Sequence, residues 1–324
     1  VTIRSLVLLL LLGATWGSSF LFIKVVVDES TPLVVVEGRI FFGALILIPI
    51  MAVRRQHVLR LRSKLPQLAI IAVFGSVLPF ILISWAETHI ESGIASVLNS
   101  TMPLFTGAFA AVFLLDEQFD VSRVLGLLLG FVGVLVLRGR AIFDVTDSAA
   151  LGQLAVVGAS VSYASIAVFI RAQLRGQDAL TLSGLQLAVG LALMTVLFLA
   201  TGGVGDVDLD TKAWLALITL GIANTGLAYI VYYWLIENAG SVFASLSTYI
   251  IPVVGLALGA AVLDESFGAN ALVGATLIIA GIAAATGLPN LIAARLRLRK
   301  PIARAAEGPL AEAEAIEPPA ALEP

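Results

Sequence analysis

Residues 115–119 read Leu-Asp-Glu-Gln-Phe, and residues 263–267 read Leu-Asp-Glu-Ser-Phe. Each pentad closes a long apolar run. Gly126 and Gly133 follow the first pentad, as Gly274 and Gly281 follow the second, all at an offset of 148 residues. Gly107 and Gly255 share that offset, while upstream Ala95, Ser96 and Pro103 match Ala244, Ser245 and Pro252 at an offset of 149. Leu- and Gly-rich helices resemble one another by chance, but chance does not set an acidic pair, a proline and spaced glycines in one register. The chain repeats itself.

Working outward from the pentads, apolar runs of roughly 17–25 residues are the length of a membrane-spanning helix. Ten occur: Ser5–Val27, Pro32–Val53, Pro66–Ala86, Gly93–Leu115, Ser122–Leu137, Ala149–Ile170, Leu180–Ala200, Ala213–Ile236, Phe243–Leu263 and Ala269–Leu288. The fourth and fifth runs thus correspond to the ninth and tenth. Each repeat holds five runs, an odd number, so the second half enters the membrane upside down relative to the first. The expected fold is an all-α integral membrane protein of ten transmembrane helices arranged as two inverted five-helix repeats. Residues 1–138 form the first repeat, residues 139–292 the second, and residues 293–324 a basic then acidic disordered cytoplasmic tail rich in Ala, Pro and Glu. Inverted repeats are a recurring plan of secondary transporters, with substrate bound near the midplane where the halves meet.

Composition agrees. Of 324 residues, 59% are hydrophobic and 13% charged, with a mean hydropathy of +1.03. A soluble domain carries about 25% charged residues, so lipid must supply the solvent that charge would otherwise recruit. The first run stays apolar as far as Val27 without a small-x-small cleavage site, which predicts a retained helix and not a signal peptide. There is no Cys, so thiolate chemistry and Cys-based metal binding are excluded.

With the N-terminus inside, 14 of the 19 Lys and Arg residues fall on the cytoplasmic side, chiefly at 54–64 and 295–304. The positive-inside rule then predicts a multi-pass protein with both termini cytoplasmic; the membrane expected is the bacterial inner (plasma) membrane.

Several stretches together resemble the EamA-type drug/metabolite transporters. They are Gly13-Ala14-Thr15-Trp16-Gly17-Ser18-Ser19-Phe20 in the first run, Glu37-Gly38-Arg39-Ile40-Phe41-Phe42 in the second, and Ala95-Ser96 with Pro103 in the fourth. Leu115-Asp116-Glu117 and the Gly126 to Gly133 stretch complete the pattern. The resemblance implies two repeats of five helices and export of amino acids, other metabolites or drugs. Within the family, the nearest expectation is a bacterial exporter of aromatic amino acids.

Polar and ionisable groups at membrane depth are expensive and mark candidate function. Arg39 lies about two turns inside the second run. Its counterpart in the second repeat is near Gln186, so the charge is not duplicated, and the residue reads as structural or gating. Pro252 joins it in that role. Lys24 is expected to snorkel, and Glu87, His89 and Glu91 to be solvated at the end of the third run. The expected substrate-binding residues are Trp16, Ser19, Pro79, Asn99, Pro103, Tyr163, Asn224, Tyr229, Thr248 and Tyr249. Proline removes a backbone donor and leaves carbonyls that a solute or water can meet. Aromatic faces beside a few hydroxyls and amides suit a small amphipathic solute. Trp85, Tyr232, Tyr233 and Trp234 read as interface anchors. The Gly13/Gly17, Gly126/Gly130 and Gly255/Gly259 pairs read as helix-packing positions.

No G-x-x-x-x-G-K-[ST] phosphate loop occurs, which argues against a primary pump. The two His residues, His57 and His89, stand in a loop and at a boundary, and no Asp lies at the centre of a run. Catalytic dyads and His-based metal sites are therefore unsupported. The sequence predicts a non-enzymatic secondary transporter exporting small metabolites, foremost neutral and aromatic amino acids, by alternating access. No cofactor and no nucleic-acid partner is expected; the partners are a small-molecule substrate and the lipid bilayer, with the protein a monomer. A multidrug or other metabolite carrier of the same fold, including a sugar-phosphate type, remains the alternative, and a membrane structural or receptor protein the non-transport one.

Overall fold

The computed structural model describes residues 3–53, 62–113, 121–138, 147–174, 177–239 and 246–285. The Asp116-Glu117 pair, most of the basic loop at 54–64 and the tail beyond residue 292 lie outside the described residues. What is described is helical, without a strand.

Helices α1 (Ile3–Val27), α2 (Pro32–Val53) and α3 (Leu65–Ala86) come first. A broken pair follows, α4 (Ser92–Asn99) and α5 (Met102–Phe113), then α6 (Val121–Arg138), α7 (Ser148–Gln173) and α8 (Ala179–Ala200). Helix α9 runs from Thr211–Gly221 through Ile222–Leu227 into Ala228–Ala239, and a short turn at Leu246–Tyr249 leads to α10 (Ile251–Val262) and α11 (Ala269–Ala285). Six of these helices are long and apolar enough to cross a membrane: α1, α2, α3, and the segments Ser148–Ile170, Leu180–Ala200 and Thr211–Tyr232.

Local chemistry sets the starts. Asp147, Asp178 and Asp210 each stand in extended backbone before a helix and accept from the amides of Ala149 at 3.1 Å, Thr181 at 2.8 Å and Ala213 at 2.7 Å. These N-caps satisfy backbone donors that the first turn leaves open. Pro66 opens α3, where its missing N–H does no harm.

Two helices carry a π-helical turn, Val73–Val77 within α3 and Ile222–Leu227 within α9. Their first residues are separated by 149 positions, the offset of the sequence repeat. A π turn inserts an extra residue and opens the local hydrogen-bond ladder, and it concentrates at functional sites. Two further breaks, at Ser100-Thr101 before Pro103 and at Leu246–Tyr249 before Pro252, also repeat that spacing.

The principal helix pairings join early helices to late ones: α6 with α11, α3 with α7, α2 with α8, α4 with α10, α5 with α7 and α1 with α10. The two parts of the chain therefore interleave around one core, which includes Val35, Val36, Ile40, Leu47, Leu98 and Leu187. Outward-facing Leu10, Leu11, Leu45, Leu128, Phe131 and Val196 are exposed and apolar, as a lipid-facing surface requires.

The small-residue expectation holds at the closest crossings. A Cβ on Gly17 would meet the Ile251 carbonyl at 3.0 Å, so α1 and α10 touch almost backbone to backbone. Between α6 and α11 the approach is tighter still. A Cβ on Gly133 would stand 2.8 Å from the Gly274 carbonyl, and one on Gly281 2.6 Å from that of Gly126.

Candidate functional site

The polar interior is organised by the two π turns. In α9, Thr225 Oγ1 donates to the Leu220 carbonyl at 3.0 Å and accepts from Arg39 Nε at 2.9 Å. In α3, Ser76 Oγ accepts from Gln186 Nε2 at 2.7 Å, and the same amide donates to the Gly75 carbonyl at 3.1 Å. Ser76 and Thr225 are 149 residues apart. Each π turn is thus clasped by a polar side chain from a second helix, Arg39 on α2 and Gln186 on α8.

Arg39 is 8% exposed, and its guanidinium carbon lies 3.9 Å from the centroid of the Phe80 ring. A desolvated cation–π contact of this kind is worth about 2 kcal/mol. Tyr163 and Tyr229 stand close enough for their hydroxyls to feel the Arg39 charge, and Tyr229 hydrogen-bonds to Ser76. Among the described residues no carboxylate lies within ion-pair distance of Arg39; the recorded pair is Lys24–Asp28 at 2.9 Å.

Asn224 sits in the α9 π turn, 1% exposed. Its Nδ2 donates to the Thr15 carbonyl and, at 3.0 Å, to Ser18 Oγ, which ties α9 to α1. Its Oδ1 has no hydrogen-bond partner among the described residues, and the same holds for Asn99 Oδ1 and Ser19 Oγ. Asn99 ends α4 at the chain break, where Ser160 Oγ of α7 donates to the Leu98 and Asn99 carbonyls at 3.3 and 3.2 Å. Thr101 Oγ1 donates to the Leu98 carbonyl at 2.7 Å, so side chains replace the missing ladder bonds.

The remaining expected residues fall as follows. Trp16 packs on Tyr232 with ring centroids 5.1 Å apart. Pro79 is buried just after the α3 π turn, and Pro103 is half-buried at the second position of α5. Pro252 is buried at the start of α10. Thr248 and Tyr249 lie in the turn before α10, Thr248 half-buried; the Tyr249 side chain is outside the described residues. Arg39, Tyr163 and Tyr229 come together, as do Trp16, Ser18 and Asn224 through the α1–α9 contact.

Three readings need correction. Glu87, expected to be solvated, is 0% exposed at the C-cap of α3. Burial raises its carboxyl well above the ordinary range; Lys24 opposes that shift and Glu265 adds to it. Lys24 does not simply snorkel, because Nζ donates to the Glu87 carbonyl at 3.0 Å. Tyr232 is no interface anchor, since its ring is held against Trp16 inside the helix assembly.

Sequence reasoning also missed the partners of the clasp, Thr225, Ser76 and Phe80, and the role of Glu265. The Glu265 carboxylate, from the second pentad, accepts from the amides of Ser92 at 2.6 Å and Gly93 at 3.0 Å. It caps the first turn of α4 across the interface between the two parts of the chain. The repeat offset held the signal for Ser76 and Thr225; nothing in the local sequence marked Glu87. Near the cap lies a cavity of about 540 Å³ lined by Lys24, Asp28, Thr88, His89, Glu91, Gln153 and Glu265, among others. Among the described residues no group of His, Asp or Glu is arranged to hold a metal ion.

The sequence profile of the EamA-like transporter family matches the chain twice, over residues 3–139 and again over 150–287. The chain belongs to this family. EamA-like relatives include an uncharacterized transporter, YoaV, of Bacillus subtilis, 27% identical over 82% of this chain and 91% of that protein. An uncharacterized transporter of Archaeoglobus fulgidus is 26% identical over 82% of this chain and 93% of its own length. Protein PagO of Salmonella typhimurium is 24% identical over 78% and 83%. A solved crystal structure, 21% identical, covers 90% of this chain and 99% of its own with a TM-score of 0.64, a likeness of fold. The protein is thus a multi-pass membrane transporter of the EamA-like family.

Proposed function

We propose that this transporter exports neutral and aromatic amino acids across the inner membrane by alternating access, with two inverted five-helix halves, residues 1–138 and 139–292, rocking about a midplane site. Both termini are cytoplasmic in this reading. The observation that carries it is the difference between the two clasps. Gln186 does for α3 what Arg39 does for α9, and it does so without charge. The positive charge of Arg39 is therefore more than the clasp itself requires, and it stands without a carboxylate partner among the described residues.

A substrate carboxylate supplies the missing counter-ion, with Arg39 as its ligand in place of the structural or gating role that the sequence alone indicated. The unpartnered amide oxygens of Asn224 and Asn99 are acceptors suited to an ammonium. The rings of Trp16, Phe80, Tyr163 and Tyr229 offer a surface for an aromatic side chain. One guanidinium balances one carboxylate, whereas a dianionic phosphate calls for several cations.

Counterflow in liposomes with phenylalanine, threonine and a hexose phosphate tests the assignment. Phenylalanine and threonine exchange is expected. Exchange of the hexose phosphate alone would overturn the substrate class and favour the sugar-phosphate alternative, with Arg39 as the phosphate ligand.

A further inference from the structure

Glu87 is unlike every other acid in the described residues. It is 0% exposed, and neither carboxylate oxygen has a hydrogen-bond partner among them. The nearest ammonium is committed elsewhere: Lys24 Nζ donates to the Glu87 main-chain carbonyl at 3.0 Å and pairs with Asp28 at 2.9 Å. An ionised carboxylate so placed would face a desolvation penalty of several kcal/mol with little to offset it. A bound metal ion would need about six oxygen ligands, and no such group is present among the described residues. A proton needs no room and no ligand shell.

The surroundings give that proton a route. The polar cavity at the same end of the molecule is walled by Thr88, His89 and Glu91, the residues just after Glu87, and by Asp28, Lys24 and Glu265. The charged groups around Glu87 can be set out by element. Helix α1 brings Lys24 and Asp28, α2 brings Arg39, and the segment after α10 brings Glu265. Its own segment adds His89 and Glu91, and Asp147 caps the start of α7. Helix α7 packs closely on this segment, since a Cβ on Gly152 would lie 3.3 Å from both the Ala86 carbonyl and the His89 Cβ.

We propose that Glu87 is a proton-binding site whose occupancy holds this end of the transporter packed: protonated while buried as seen here, and ionised once water from the neighbouring cavity reaches it. Burial raises its proton affinity in the packed form, which is the direction this requires. Loss of the proton leaves a charge that only water or a rearranged Lys24 can stabilise, so ionisation favours the hydrated form.

Two measurements on the full-length protein in liposomes test this, and neither uses a transported solute, so they stand or fall apart from the amino-acid assignment. The chain has no native Cys, so Ile90→Cys places a single thiol at a buried position of the cavity wall. Its labelling by a water-soluble maleimide, corrected for thiol ionisation against an exposed reference thiol at Thr201→Cys, is expected to rise with pH by up to ~tenfold per unit through the Glu87 titration. The rise should vanish in the added presence of Glu87→Gln, which mimics the protonated acid and keeps this end packed. Infrared titration of the otherwise wild-type protein should show the carbonyl stretch of a protonated carboxyl persisting above the ordinary carboxylate range, and its loss in Glu87→Gln. If Glu87→Gln fails to fold, the wild-type background still decides: pH-independent corrected labelling, or no protonated carboxyl above that range, would sink the proposal. A persisting infrared band together with unchanged labelling in Glu87→Gln would equally overturn it.

Discussion

Arg39 on Thr225 and Gln186 on Ser76 are the same joint made twice with different chemistry. In both, a side chain from one helix reaches the hydroxyl inside a π turn of another, and the two hydroxyls sit one repeat apart. The Gln186 joint is neutral and fully paired, donating to Ser76 and to the Gly75 carbonyl. The Arg39 joint carries a buried charge over the Phe80 ring, with Tyr163, Tyr229 and the unpartnered Asn224 oxygen about it. The repeat keeps the joint and changes its charge.

Replacing Arg39 by Gln copies the neutral joint onto the charged one and should give the largest effect. Expression is expected to hold at a lowered melting temperature, since the Phe80 contact of about 2 kcal/mol goes with the charge, while amino-acid counterflow loses the charged hydrogen bond to substrate, about 1.5–3 kcal/mol, or roughly one to two orders of magnitude in affinity. Normal counterflow with unchanged apparent affinity would show the charge to be structural after all. The converse change, Gln186→Ala, strips the scaffold joint and leaves Ser76 and the Gly75 carbonyl short of a donor. A stability loss of about 1–3 kcal/mol is expected in thermal melts, with substrate affinity at matched protein level unchanged. If affinity fell instead, the neutral joint would belong to the site as well.

A smaller change is expected for Asn224→Ala and Asn99→Ala. Each removes one acceptor of the proposed ammonium site, worth about 0.5–1.5 kcal/mol, a several-fold rise in the half-saturating phenylalanine concentration without abolition. Asn224→Ala should also lower the melting temperature, because its amide ties α9 to α1, whereas among the described residues Asn99 makes no such side-chain tie. Equal melting shifts in the two variants would contradict that distinction. The smallest effects are expected at the repeated prolines. Pro103→Ala and Pro252→Ala should alter transport rate more than expression level, since the chain breaks before α5 and α10 persist through side-chain bonds such as Thr101 to Leu98. Wild-type rates in both would make them packing residues only.

Much of this architecture was legible in the sequence because membrane helices announce themselves by length and apolarity. Among the described residues the apolar runs fall on helices, six of them long enough to cross a membrane, but the fourth and ninth runs are broken before Pro103 and Pro252. The spaced glycines do mark close crossings. Arg39 and Asn224 stood out because polar groups are rare inside such runs. The π turns did not, since an inserted residue leaves hydropathy unchanged and shows only when the register of both helices is compared. Glu87 was misread for a related reason. It follows Ala86 at the end of an apolar run, where solvent is the default, and its burial depends on α1, α7 and Glu265 arriving from elsewhere in the chain. Tyr232 has the same history: one residue among several aromatics near a helix end, claimed by Trp16 of α1.

The backbone-close seam between α6 and α11 bears on how the protein is made. Gly133 is synthesised 141 residues before Gly274, whose carbonyl would stand 2.8 Å from a Cβ placed on it. The small-residue face of α6 therefore waits for its cover until the later half of the chain has been made, and a chain stopped short of α11 leaves these glycines without the helix that packs on them.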